Sequence, residues 1–150
     1  VDQSVRILLF IILFILARPL PGAAFCFEAA ATRHEVPAEL LWAIAKVESG
    51  FNPAALYQNR DGTVDIGVMQ INSSWQKHFP EPVWSALNDP CTNVQTGAEI
   101  LADCLNRHGY TWQGIGCYNA ITPGKQADYA RRILDVMRHM PGAGQFSSPQ

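Results

Sequence analysis

Apolar residues run without interruption from Ile7 to Ala17, whereas from Phe27 onward they recur every three or four positions. The second pattern predicts a domain of amphipathic helices. Phe27 to His34 reads as a short helix. Pro37 then stands where a first helical turn tolerates it. The stretch PAELLWAIAKVES follows, with Leu40, Leu41, Ile44 and Val47 on one stripe, and Gly50 and Pro53 close it. Residues 52–66 are rich in Asn, Asp, Gly and Pro, which predicts a turn-rich loop or a short β-hairpin around Asp61-Gly62. A short helix is expected over Ser73 to His78, and a proline-punctuated loop over Phe79 to Pro90. Asn93 to Asn106 reads as a helix with Val94, Ala98, Leu101 and Leu105 on one face. Tyr110 to Ala120 is a further helical segment after Gly109. Gln126 to Met140 is the last, with Tyr129, Ile133 and Met140 in phase. The expectation is a single, mostly α domain over 25–140 with at most one small β element, followed by a flexible tail over 141–150.

The first apolar run has a different meaning. Arg6 precedes it, and Gly22, Ala23 and Ala24 follow it. A basic residue, an apolar run and small residues in that order describe a secretory signal peptide over 1–24, cleaved after Ala24. The run has 11 residues, short of the roughly 18–20 needed to span a bilayer, which argues against an uncleaved anchor.

Without Asp2, Arg6 and Arg18 the remaining chain has 12 acidic and 9 basic residues. That mild acidity argues against a nucleic-acid partner. Four cysteines, Cys26, Cys91, Cys104 and Cys117, read as two disulfides in an oxidising compartment. Cys91 and Cys104 on one helical stretch would lie roughly 20 Å apart, beyond disulfide reach. Cys104 and Cys117 flank the turn at Gly109 and would face each other in a helical hairpin, which leaves Cys26 with Cys91. There is no CxxC, no HExxH, and the four His are scattered, so no metal and no cofactor are expected.

Glu48 breaks the pattern of the second helix. It follows Ile44 by four residues and Leu41 by seven, so its carboxyl falls in line with the apolar stripe. Desolvation there raises a carboxyl's pKa. A carboxylic acid still protonated near neutral pH is what glycoside cleavage needs in order to protonate the leaving oxygen. Read blandly, Glu48 is a helix-end residue turned to solvent. Trp42, Trp75, Trp84 and Trp112 read as core, and Arg131, Arg132 and Arg138 as a solvated helix face.

The run from Glu48 to Trp75 reads ESGFNPAALYQNRDGTVDIGVMQINSSW. Glu-Ser-x-Phe-Asn-Pro-x-Ala followed by Gly-x-Met-Gln-Ile-Asn resembles the lytic transglycosylases of the soluble-type lysozyme-like fold, in particular the small ones associated with secretion and conjugation machines. The likeness continues through Asp89-Pro90, Asn93, Gly97-Ala98, Tyr118-Asn119-Ala120 and Tyr129, and covers roughly residues 26–138. It implies a lysozyme-like (α+β), mostly α domain with a small β-hairpin or turn-rich loop beside the catalytic helix. It further implies that Glu48 is the single catalytic acid/base and that Ser49 lies beside the cleft. Gly67, Met69 and Gln70 would form the cleft wall, with Gln70 on the sugar. Tyr118 and Asn119 would lie beneath the glycan, and Tyr129 would orient Glu48. The implied substrate is the glycan strand of peptidoglycan, cut at the MurNAc-GlcNAc β-1,4 bond with formation of 1,6-anhydro-MurNAc. The implied setting is the Gram-negative periplasm, with a monomer serving a secretion, conjugation or pilus apparatus. Ile121 stands where the family usually has Gly after Tyr-Asn-Ala.

Asp65 keeps a second reading open. Its spacing from Glu48 also resembles the animal and egg-white type lysozymes, in which two carboxyls hydrolyse the same bond; alternatively Asp65 caps a turn before Gly67. A third reading is a catalytically silent peptidoglycan-binding scaffold.

Overall fold

Helix-forming stripes, proline and glycine stops and one Asn/Asp/Gly-rich stretch give the order of elements. The computed structural model describes residues 25–140; the leader and the tail expected at 1–24 and 141–150 lie outside them. Helices α1 (Phe27–His34) and α2 (Ala38–Ser49) come first. A small antiparallel sheet follows, with strands β1 (Leu56–Gln58), β2 (Val64–Ile66) and β3 (Ile71–Asn72) in that order across it. Then come a 3-10 helix (Ser73–His78), α3 (Glu81–Ser85), α4 (Pro90–His108), α5 (Trp112–Cys117) and α6 (Pro123–Arg138). Among the described residues no helix is long and apolar enough to cross a membrane.

The structure differs from the sequence expectation where prolines lie. Phe79 to Pro90 is not all loop: α3 sits inside it, with Pro82 in its first turn. A proline there removes an N–H that has no helical partner in any case. For the same reason α4 starts at Pro90 rather than Asn93, and α6 at Pro123 rather than Gln126. Asp89 caps α4, its carboxylate accepting from the Thr92 N–H at 2.7 Å, a bond that also holds its pKa down. The segment expected over Tyr110 to Ala120 is helical only from Trp112 to Cys117, with Thr111 as its cap.

The core is the α2 stripe against α4 and α6. Leu40, Leu41, Ile44, Val94, Ala98, Leu101 and Ile133 are all fully buried. Cys26 is bonded to Cys91, tying the start of α1 to the first turn of α4; Cys104 is bonded to Cys117, tying α4 to the end of α5. These are the pairs expected from spacing. The sheet lies beside the C-terminal end of α2, with Tyr57 opposite Asp65 and Asp65 opposite Asn72.

Candidate active site

Ser49 fastens the end of α2, and Asn93 fastens α4, to the turn that follows β2. The Ser49 hydroxyl donates to the Val68 carbonyl at 2.8 Å and accepts from the Asn52 N–H at 3.1 Å. Buried Asn93 accepts from the Met69 N–H at 2.7 Å and donates to the carbonyls of Ile66 (2.9 Å) and Leu87 (3.0 Å). These bonds fix the turn from Gly67 to Gln70 that joins β2 to β3. Gly67 has φ 75°, and a side chain there would collide with the Asn93 amide.

Glu48 stands in the last turn of α2 at the edge of a cleft of about 880 Å³. Tyr129, buried on α6, donates its hydroxyl to Glu48 Oε1 at 2.5 Å. Burial pushes the Glu48 pKa up from 4.5 to about 7; the Tyr129 hydrogen bond and the Arg132 charge pull the other way, and the Asp65 charge pushes up again. At neutral pH Glu48 therefore holds protonated and ionised forms in comparable amounts, the condition for a group that first gives and then takes a proton. Tyr118 lies beside Tyr129, ring centroids 6.4 Å apart, and donates its hydroxyl to the Met69 carbonyl at 2.9 Å. Burial holds both tyrosines well above their ordinary pKa, so both remain neutral donors.

Asp65 lines the same cleft and does not cap the turn before Gly67. Both its carboxylate oxygens accept side-chain amides: Asn72 Nδ2 donates to Oδ1 at 2.6 Å and Asn59 Nδ2 to Oδ2 at 2.9 Å. The same two amides reach the Thr63 hydroxyl. This is a fixed carboxylate held by neutral donors.

The expected site residues divide into two groups. Glu48, Asp65, Gln70, Tyr118 and Asn119 line the cleft. Gln70 spends its amide nitrogen on the carbonyls of Gly67 (2.8 Å) and Ala55 (3.4 Å), which leaves its amide oxygen for a sugar. Asn119 is exposed, and its side chain makes no hydrogen bond among the described residues. Ser49, Met69 and Tyr129 stand behind the wall rather than in it. Met69 is fully buried and packs against Gly97, where an added Cβ would sit 2.9 Å from its Cε, so only the Met69 backbone serves the site. Trp75, read from sequence as core, is partly buried against the core and also lines the cleft. Arg132 is exposed, as read from sequence, with Cζ 5.4 Å from the centre of the Tyr129 ring. The Asn59–Asp65–Asn72 bonding was not foreseen; the signal for it is the strand register that sets Asn72 opposite Asp65. Among the described residues no group of three His, Cys, Asp or Glu side chains is placed to hold a metal ion.

Residues 25–132 match the family profile of the transglycosylase SLT domain. The chain is 40% identical over 126 residues to "Invasion protein IagB" of Salmonella typhimurium (strain SL1344), covering 79% of each chain. It is 35% identical over 133 residues to "Protein IpgF" of Shigella flexneri, covering 86% of this chain and 88% of that one. A "Peptidoglycan-binding-like protein" of Escherichia coli O157:H7 is 34% identical over 132 residues, 77% of each.

Proposed function

Since this chain belongs to the transglycosylase SLT domain family, we propose that it is a lytic transglycosylase that cuts the MurNAc-GlcNAc β-1,4 bond of peptidoglycan and leaves 1,6-anhydro-MurNAc ends. The observation that carries this reading is the Glu48 carboxyl, partly buried at the cleft edge and bonded to Tyr129, a setting that pushes its pKa up to about 7. Protonated Glu48 gives its proton to the glycosidic oxygen as the bond to the anomeric carbon breaks. The substrate's N-acetyl oxygen supports the positive charge that develops there. Glu48, now a carboxylate, removes the proton from the C6 hydroxyl of the same muramic acid, and that oxygen closes on the anomeric carbon. Ring closure is intramolecular, so it competes well with attack by water.

Asp65 supports a second reading, hydrolysis by a muramidase, because it is an anion in the same cleft. Its oxygens already accept two amide hydrogen bonds, which suits a fixed charge facing an oxocarbenium-like centre better than a nucleophile. In the first reading Asp65 helps electrostatically; in the second it is required.

The biological setting is proposed on the same footing. The protein is exported by its N-terminal leader, works in the periplasm as a monomer, and opens the wall locally for a secretion, conjugation or pilus apparatus. The name of the Salmonella relative, an invasion protein, fits that setting. Incubating oxidised protein with purified sacculi tests the enzyme reading against the scaffold reading. Wild type is expected to release soluble muropeptides, and Glu48→Gln to sediment with sacculi yet release none. Equal release by both proteins would remove Glu48 from the chemistry.

A further inference from the structure

Arg132 follows Tyr129 by three positions on α6, so the two side chains share one face of that helix. Its guanidinium carbon lies 5.4 Å from the centre of the Tyr129 ring, and the same ring carries the hydroxyl that donates to Glu48 Oε1. A surface arginine on a helix commonly pairs with an acid one turn away. Arg131 does so, with Asp128 at 3.0 Å. Arg132 does not, although both acids of α6 stand at spacings that suit it. Asp128, four positions before it, is bonded to Arg131, and Asp135, three positions after it, lies 3.9 Å from His139. Among the described residues Arg132 forms no ion pair. It is exposed, with its charge set over the Tyr129 ring.

We propose that Arg132 is a positioning residue for the reaction: through the Tyr129 ring and directly across space, its charge supports the Glu48 carboxylate that forms as the glycosidic bond breaks. The inference rests on the reading of Glu48 as the acid/base. A cation over an aromatic face draws electron density from the ring. The Tyr129 hydroxyl thereby becomes a stronger donor to Glu48. The same charge also attracts the carboxylate without any intermediary. The groups that face Glu48 are Asp65 from β2, Tyr118 from the end of α5, and Tyr129 and Arg132 from α6. Both tyrosines are neutral and Asp65 brings a negative charge, so Arg132 is the one cation among them. Burial and Asp65 push the Glu48 pKa up, and Tyr129 and Arg132 hold it back. Without Arg132, a carboxylate that has just given up its proton would face Asp65 with no positive charge to offset it.

Two measurements on the full oxidised protein test it, each made on wild type, Arg132→Gln, Arg132→Lys and Arg131→Gln. The last removes the same charge from the adjacent, acid-paired position. In the first measurement the Glu48 side-chain carboxyl is titrated by carbon-13 NMR. An exposed cation over a ring has a modest effect, so Arg132→Gln is expected to raise the Glu48 pKa by about half a unit above its wild-type value of about 7. Arg132→Lys should recover most of that shift, and Arg131→Gln should titrate as wild type does. In the second, turnover of soluble glycan strands is followed across pH. Arg132→Gln is expected to move the alkaline limb of kcat/KM upward by the same amount, and to lower kcat on the acid side about threefold with KM unchanged. Equal titration shifts in Arg132→Gln and Arg131→Gln would show net charge alone at work and overturn the proposal. So would an unmoved Glu48 titration, or a raised KM with the limb in place, which would make Arg132 a substrate contact. A titration that shifts as expected in a protein that cuts no strands supports the coupling of Arg132 to Glu48 and counts against the enzyme reading alone.

Discussion

Replacing Tyr129 with Phe removes one hydroxyl and leaves the buried ring. That hydroxyl donates to Glu48 Oε1 at 2.5 Å and is the largest of the influences that favour the carboxylate form. A hydrogen bond to a charged group contributes about 1.5–3 kcal/mol. At about 1.36 kcal/mol per pKa unit, its loss raises the Glu48 pKa by roughly 1–2 units above its value of about 7. Free enzyme needs protonated Glu48 to begin the reaction, so kcat/KM falls as pH rises through this pKa. The alkaline limb of the pH profile is therefore expected near pH 7 in wild type and roughly 1–2 units higher in Tyr129→Phe. The rate on the acid side should also drop, by about tenfold, because the carboxyl loses the group that orients it. The assay is release of soluble muropeptides from sacculi across pH 5–10, with circular dichroism to show that the variant is folded. A variant whose rate drops while its alkaline limb stays in place, or moves to lower pH, would refute the assignment of Tyr129 as the donor that tunes Glu48.

The same carboxyl makes a stability prediction. Its folded pKa of about 7 lies above the unfolded value of 4.5, so between these values the folded state binds more protons. Glu48 therefore weakens the fold progressively as pH rises from about 4.5 to 7, by up to ~3 kcal/mol. Glu48→Gln should melt at a higher temperature than wild type at pH 8 and at nearly the same temperature at pH 4.5; equal shifts at both pH values would mean that the carboxyl is not desolvated. Asn93→Ala leaves the Met69 N–H and the Ile66 and Leu87 carbonyls without their partner, and should cost about 2–4 kcal/mol in urea denaturation, with less than 1 kcal/mol counting against the assigned bonds.

The helices were legible because each repeats its apolar residues at the helical period; Leu41, Ile44 and Glu48 share one face of α2 for that reason. The desolvation of Glu48 could be read from the same spacing. Helix starts at Pro82, Pro90 and Pro123 were less legible, because proline breaks a helix interior but suits its first turn. Met69 shows the limit of a motif. Its position in Gly-x-Met-Gln marks the cleft wall, but its side chain turns into the core against Gly97, a long-range contact that local spacing does not encode. The Asn59–Asp65–Asn72 arrangement depends on the register of three strands only two or three residues long, which the turns decide rather than any repeat in the sequence.

The mass of the new glycan ends tests the central claim most directly. Sacculi digested with wild type, Glu48→Gln and Asp65→Asn would be analysed by mass spectrometry for the terminal muramic acid. The account predicts non-reducing anhydro ends, one water lighter than a muramidase's, absent with Glu48→Gln and still formed, more slowly, with Asp65→Asn. Fully hydrated reducing ends that require both Glu48 and Asp65 would contradict it and make the protein a hydrolase.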